Sequence, residues 1–516
     1  MLPSKRTPSA LKQVCFGLLS GLLLFLSVAA VRADDLKEHF DKGYALFNQK
    51  KYDAALEEFA ICRKIAPKDV TVLNWIGWIY LNQQKYADAL EPQEEAVKLA
   101  PENPDAHLNL GNVYDGLKRY PDAMKEFETL SRLQPKSADA YYNLGNVYFK
   151  LGRTSDSLAA FRKAAQLAPN DGYVQDSLGY VLLNVGNYTD ALAAYDKATK
   201  LMAGNPTFWL NYGIAASTAA GKASARPKAD EYYEKARTAL AQAYKLKSDN
   251  YTIVETYGEV LFDMGRTPES IPLFEKAAQM DDKQYSPVYN LGMAQEKQGK
   301  LPNAAEAYRR ALALKPDDKS ALLRLGQVQF KQNQFDDAAK TFTHLTEVAP
   351  DDLSGWISLS TTQENKGDDA GAIKTLQEAV KHGDAGAKRA RIHAALGGHY
   401  YRKAIESATP DPNTLKQAEE EYAAALKDAS DNSDALNGMG LIRQREKKYD
   451  DAIKYYKQAI AFNPKFADVY NNLGVAYEAK GDTEQAKENY KKALQLDPAN
   501  KLARKNLDRL EKVTVK

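Results

Sequence analysis

Trp75 and Trp78 stand three residues apart, and Phe40, Tyr44 and Phe47 repeat a helical spacing upstream of them. Tyr142 and Phe149 add two further rings, while amides recur at Asn109, Asn112, Asn143 and Asn146, and again at Asn211, Asn290 and Asn472. The chemistry open to such a set is recognition without bond breaking. Rings anchor a partner, each contributing about 2 kcal/mol or more at a hot spot, and amides donate and accept along an extended backbone. The residue types needed for reaction chemistry are not similarly grouped. His39, His107, His344, His382, His393 and His399 show no ligand spacing, and no glycine-rich phosphate cradle or nucleophile motif occurs. Of two cysteines, Cys15 lies near the N-terminus and Cys62 falls at a position that is elsewhere alanine, which reads as a packed core thiol. The expectation is a non-enzymatic chain with no metal and no cofactor.

The elements that position these residues are periodic. Glycine returns every 34 residues at Gly43, Gly77, Gly111, Gly145, Gly179 and Gly213, then resumes at Gly258, Gly292 and Gly326. The series lapses to Ser360 and reappears at Gly397, Gly440 and Gly474, making thirteen copies. With this glycine as position 8, positions 4, 7, 8 and 11 share one face of a first helix, and positions 20, 24 and 27 share one face of a second, as in Ala191, Tyr195 and Ala198. Small residues at positions 8 and 20 let two antiparallel backbones approach while the rings fill the gap. Glycine at position 15, as in Gly152 and Gly186, suits a left-handed helix end. Thr154, Thr267 and Thr483 are expected to cap the second helices. Proline at position 32 is often followed by Asp or Asn able to cap the next copy.

A 34-residue unit with these glycines, alanines, rings and prolines resembles the tetratricopeptide repeat. The resemblance covers nearly everything after residue 35 and implies an all-α, right-handed α-solenoid of about thirteen helical hairpins. Residues 36–250 hold copies one to six, 251–386 copies seven to ten, 387–500 copies eleven to thirteen, and 501–516 a solvating cap. Loop insertions are expected near 219–230 and 406–414. Copy two carries Pro92 inside its second helix and Gln93 where a ring belongs, so that helix is expected to kink or start late.

Residues 1–33 read as a secretory signal: Lys5, Arg6 and Lys12, an apolar stretch from Val14 to Val31, and Val31-Arg32-Ala33 ahead of Asp34. The alternative is an uncleaved anchor over residues 14–31. Either way the array is expected outside the cytoplasm, periplasmic, secreted or tethered. Loss of the four basic residues in this segment would change the net charge from +2 to −2, which argues against a nucleic-acid partner.

The family resemblance implies a concave groove lined by positions 2, 5, 6, 9, 12 and 13, which places Phe40, Tyr44, Phe47, Trp75, Trp78, Asn109, Asn112, Tyr142, Asn143, Asn146 and Phe149 as the partner-binding face. The amide pattern also resembles the inner ladder of the repeats in O-linked N-acetylglucosamine transferases, although no glycosyltransferase domain follows. A two-carboxylate clamp is disfavoured, because Leu108, Asp139, Tyr173 and Ser177 occupy the places basic residues would need. The implied function is a scaffold for proteins or peptides of the cell envelope. A self-assembling array is the alternative.

Overall fold

A computed structural model describes residues 23–382, 386–406 and 411–513, with the side chains of 23–33, 512 and 513 outside the description. The expected signal therefore lies largely outside the described residues, as do residues 407–410 of the loop expected at 406–414. Among the described residues there are 27 helices and no strand: thirteen hairpins followed by one final helix, Lys501–Val513. The chain divides into two compact units, residues 1–248 and 249–516. The first holds hairpins one to six, and the second holds hairpins seven to thirteen with the last helix. No helix among the described residues is long and apolar enough to cross a membrane.

Each hairpin closes as its residue sizes require. A Cβ added to Gly111 would sit 2.5 Å from the ring of Phe127, so the first helix presents bare backbone to the ring of the second. Tyr195, Tyr308, Tyr456 and Tyr490, with Phe59, Phe127, Phe161, Phe274 and Phe342, are fully buried at this position. Burying each such ring contributes roughly 1.5–3 kcal/mol from removed apolar surface. The long hairpins are Pro206–Lys222 with Arg226–Leu246, and Ala387–Ile405 with Pro412–Asp428. Here extra residues mainly lengthen the helices.

Outside the long hairpins of copies six and eleven, the turns between paired helices are left-handed at position 15 whether or not glycine is present. Gly152 has φ +73°, and Lys50, Gln84, Lys118, Asn333 and Lys447 adopt φ between 58° and 62° at the equivalent place. The second helices begin one residue earlier than the cap reading assumed. Thr154, Thr267 and Thr483 are their first helical residues, and the preceding Arg153 and Arg266 make no side-chain cap, whereas Asp482 accepts from Gln485 N. First helices are capped as expected, with Asp69, Asn103, Ser137 and Asp171 accepting from backbone N–H groups two or three residues on. The linkers between copies are tied down by position-4 side chains. Trp209 donates from Nε1 to Ala203 O and Trp356 to Pro350 O, each at 2.8 Å, while Gln175 donates to Pro169 O at 3.1 Å.

Copy two departs from expectation. Its second helix starts in register at Tyr86 and runs unbroken through Pro92 to Leu99. Gln93 fills the ring position, fully buried, with Nε2 donating to Asn74 O at 3.1 Å and Oε1 without a partner. Cys62 is fully buried as expected, and burial pushes its thiol up to about 11, leaving it an unreactive core group at neutral pH.

Candidate functional site

The first helices carry the candidate residues, and their neighbours are set by how one first helix lies on the next. Asn211 donates to both oxygens of Asp176 at 2.9 and 3.2 Å, 35 residues back. The same 35-residue step joins Arg324 to Tyr289 Oη at 3.2 Å, Asn472 to Asn437 at 3.0 Å and Asn506 to Asn471 at 3.1 Å. In each case a position-6 side chain meets the position-5 side chain of the preceding copy. Position 6 is therefore a seam between hairpins.

This seam corrects the reading of Trp75. Expected on the open wall at position 6, it is only 9% exposed, its indole 6.4 Å from Phe40 and 5.3 Å from both Tyr44 and Phe47, and stacked 5.9 Å from Phe59. Phe40 and Phe47 are half-buried against the same cluster, so they build the end of the stack and are not free anchors. Asn109, also at position 6, is 7% exposed and stands 35 residues after Asn74, where the seam places it. Trp78, at position 9, is half-buried with its Nε1 lacking a partner. Tyr44, also at position 9, remains 45% exposed.

The remaining predicted residues line copies three and four. Asn112 and Asn143 are half-buried, and among the described residues their amides have no hydrogen-bond partner. Asn146 turns back to Tyr142 O of its own helix at 3.1 Å, and Tyr142 packs edge-on to Phe161 at 5.7 Å. Phe149 meets Tyr180 edge-on at 5.2 Å. A continuous ladder of free amides is thus not what forms. Asn211, Asn290 and Asn472 are engaged by Asp176, Glu259 and Asn437 of adjacent copies.

Three residues of this face were overlooked in the sequence reading. Tyr180 is 49% exposed and Ile214 is exposed too, both at position 9, so the register that selected Tyr44 and Trp78 would have found them. Asp176, at position 5, is only 3% exposed. Burial pushes its carboxyl up to about 6, with the Asn211 amide opposing. Only the packing of copy six on copy five shows this, since an Asp in an inner helix reads as solvated.

Family models for the tetratricopeptide repeat match residues 40–104, 76–128, 108–172 and 177–234 in the first unit, and 296–361 and 467–500 in the second; a TPR repeat model matches 445–481. The chain belongs to the tetratricopeptide repeat family, whose repeats generally mediate contacts between proteins. The chloroplastic tetratricopeptide repeat domain-containing protein PYG7 of Arabidopsis thaliana is 33% identical over 140 residues, which is 27% of this chain and 44% of that protein. Heat shock protein STI1 of Saccharomyces cerevisiae is 41% identical over 66 residues, 13% of this chain and 11% of its own. The chain therefore spans less than half the length of either relative. The crystal structure of yeast Tom70 aligns over 88% of this chain and 97% of its own, at 16% identity and a TM-score of 0.35.

Proposed function

We propose that this protein is an exported, non-enzymatic scaffold that holds a segment of a partner protein along the inner face of hairpins three to six. The observation that carries the reading is the character of that face. Tyr180 and Ile214 are exposed at equivalent positions of successive copies, Phe149 stands beside Tyr180, and the amides of Asn112 and Asn143 have no partner of their own. An exposed ring and an exposed isoleucine beside amides that have no protein partner suit an extended chain, whose side chains meet the apolar groups while its backbone meets the amides. Family membership supports the protein-binding part of this reading. The basic, apolar and small-residue order of residues 1–33 supports export, with the partner drawn from the cell envelope.

Photo-crosslinking tests both parts. A benzophenone side chain placed at Tyr180 in intact cells should trap a discrete partner, while the same group at Lys163 on a second helix should not. Equal yields from both sites would count against the inner face. Crosslinks only to further copies of this chain, with mass rising in light scattering as concentration rises, would replace the scaffold by a self-assembling array. Sequencing the N-terminus of the mature protein should begin at Asp34; an intact Met1 would favour the anchored form.

A further inference from the structure

A carboxylate buried without a cation is an unusual feature in a repeat array. Asp176 is 3% exposed, and among the described residues its one hydrogen-bond donor is the Asn211 amide, reaching both oxygens at 2.9 and 3.2 Å. The other buried carboxylate among the described residues, Glu58, is paired with Lys42 and His39, while the half-buried Glu259 also has only an amide, that of Asn290 at 3.2 Å. One amide leaves most of the acceptor capacity of a carboxylate unmet. The surroundings are open on one side. Tyr180 lies one helical turn along, where i and i+4 side chains are neighbours, and its exposed ring abuts Phe149 of the preceding copy. Ile214 of the following copy is exposed on the same face.

We infer that Asp176, oriented by Asn211 and one helical turn from the exposed Tyr180, receives a lysine or arginine side chain of an extended peptide lying along this face. This rests on the proposed inner-face function and adds the chemical class of what is held. A carboxylate one helical turn from an exposed ring suits a cation twice over, through charge-assisted hydrogen bonds and through the ring face. A peptide fits better than a small amine because apolar Ile214 and the unpartnered Asn143 amide extend the face into the adjoining copies, beyond the reach of a single ammonium group. Burial holding the Asp176 carboxyl near 6 is consistent with a group lacking its counter-charge.

The test uses the full chain and a phage library of random dodecapeptides, followed by fluorescence anisotropy on an enriched peptide and its twin with the basic residue replaced by Gln. Wild type is expected to enrich Lys or Arg flanked by apolar residues and to bind the basic peptide about tenfold or more tightly than the twin, as expected for a hydrogen-bonded charge. Asp176→Asn should bring the two peptides together, and Tyr180→Ala should weaken both. Circular dichroism melting shows that each variant is folded. Enriched peptides with no basic preference would overturn the inference while leaving the inner-face function standing. A preference that survives in Asp176→Asn would overturn it by placing the charge elsewhere. No enriched peptide from wild type would sink both readings.

Discussion

The inner helices of the two units are built on the same register, yet Glu296 in the second and Asp176 in the first are met by different groups. In the second unit, Glu296 takes Lys331 at 2.9 Å, Arg324 at 3.2 Å and the Tyr308 hydroxyl at 3.0 Å. Arg402 reaches Glu364 at 2.7 Å, and Arg509 reaches Glu478 at 2.7 Å. Although burial works against its ionisation, these partners hold the Glu296 carboxyl below the usual range. In the first unit, Lys150 pairs with Asp115 at 2.6 Å, but Asp176 has only an amide. Glu296 and Asp115 are neutralised by a lysine of the next copy, whereas Asp176, like Glu259 beside Asn290 in the second unit, is met by an amide. The difference shows that an acid on a first helix is met by a cation or by an amide according to which side chain the next copy presents to it.

The largest expected effect sharpens the distinction between seam and open face. Trp75→Ala removes the centre of a five-ring cluster and should cost about 3–5 kcal/mol in the first unit. Tyr180→Ala, on an exposed ring, should leave the melting curve close to wild type. Calorimetry on both variants checks this, and a mild Trp75 variant would place the indole back on the open wall.

Next in size is Asp176→Asn. A folded carboxyl at about 6 against an ordinary 3.8 destabilises the ionised protein by up to about 3 kcal/mol at neutral pH. The sign follows from the raised value: the contribution of this group is fully present below pH 3.8 and is lost as pH rises through about 6. The Asn variant should therefore melt higher than wild type at pH 7, with the gap closing by pH 4. A lower melting temperature at pH 7 would mean that Asp176 already has a counter-charge, which would erase the contrast between Asp176 and Glu296.

Glu296→Gln should act in the opposite sense in the second unit. It strands Arg324 and Lys331, which are half-exposed, so the loss should be about 1 kcal/mol and should shrink in high salt. The smallest effect concerns what both units share. Lys118→Gly and Lys447→Gly relieve a left-handed turn at φ 61° and 60°, and each should stabilise its own unit by about 1 kcal/mol or less, seen as a small rise in denaturant midpoint.

Much of the fold was legible because it is written locally. The glycine at position 8 and the ring at position 24 meet within one hairpin, so their spacing alone predicts the contact that Gly111 and Phe127 make. The caps at Asp69 and Asn103 and the turn at Gly152 are likewise decided by a few neighbouring residues. The site was legible only in part. Phe149, Asn112 and Asn143 were placed on the inner face, and Tyr180 was discoverable by the same register. Trp75 and Asn109 were misplaced because helical periodicity assigns a side chain a direction without saying what lies there.

The amino-acid sequence by itself determined the repeat, the hairpin and the ring packed on most of the repeat glycines, because these depend on contacts within about thirty residues of chain. Tertiary structure alone decided that position 6 is a seam, that Asn211 reaches Asp176 and that this acid is buried, because those contacts join successive copies and depend on how closely one first helix lies on the next. Burial of a charge is a property of all the groups around it, and no spacing along one helix records it.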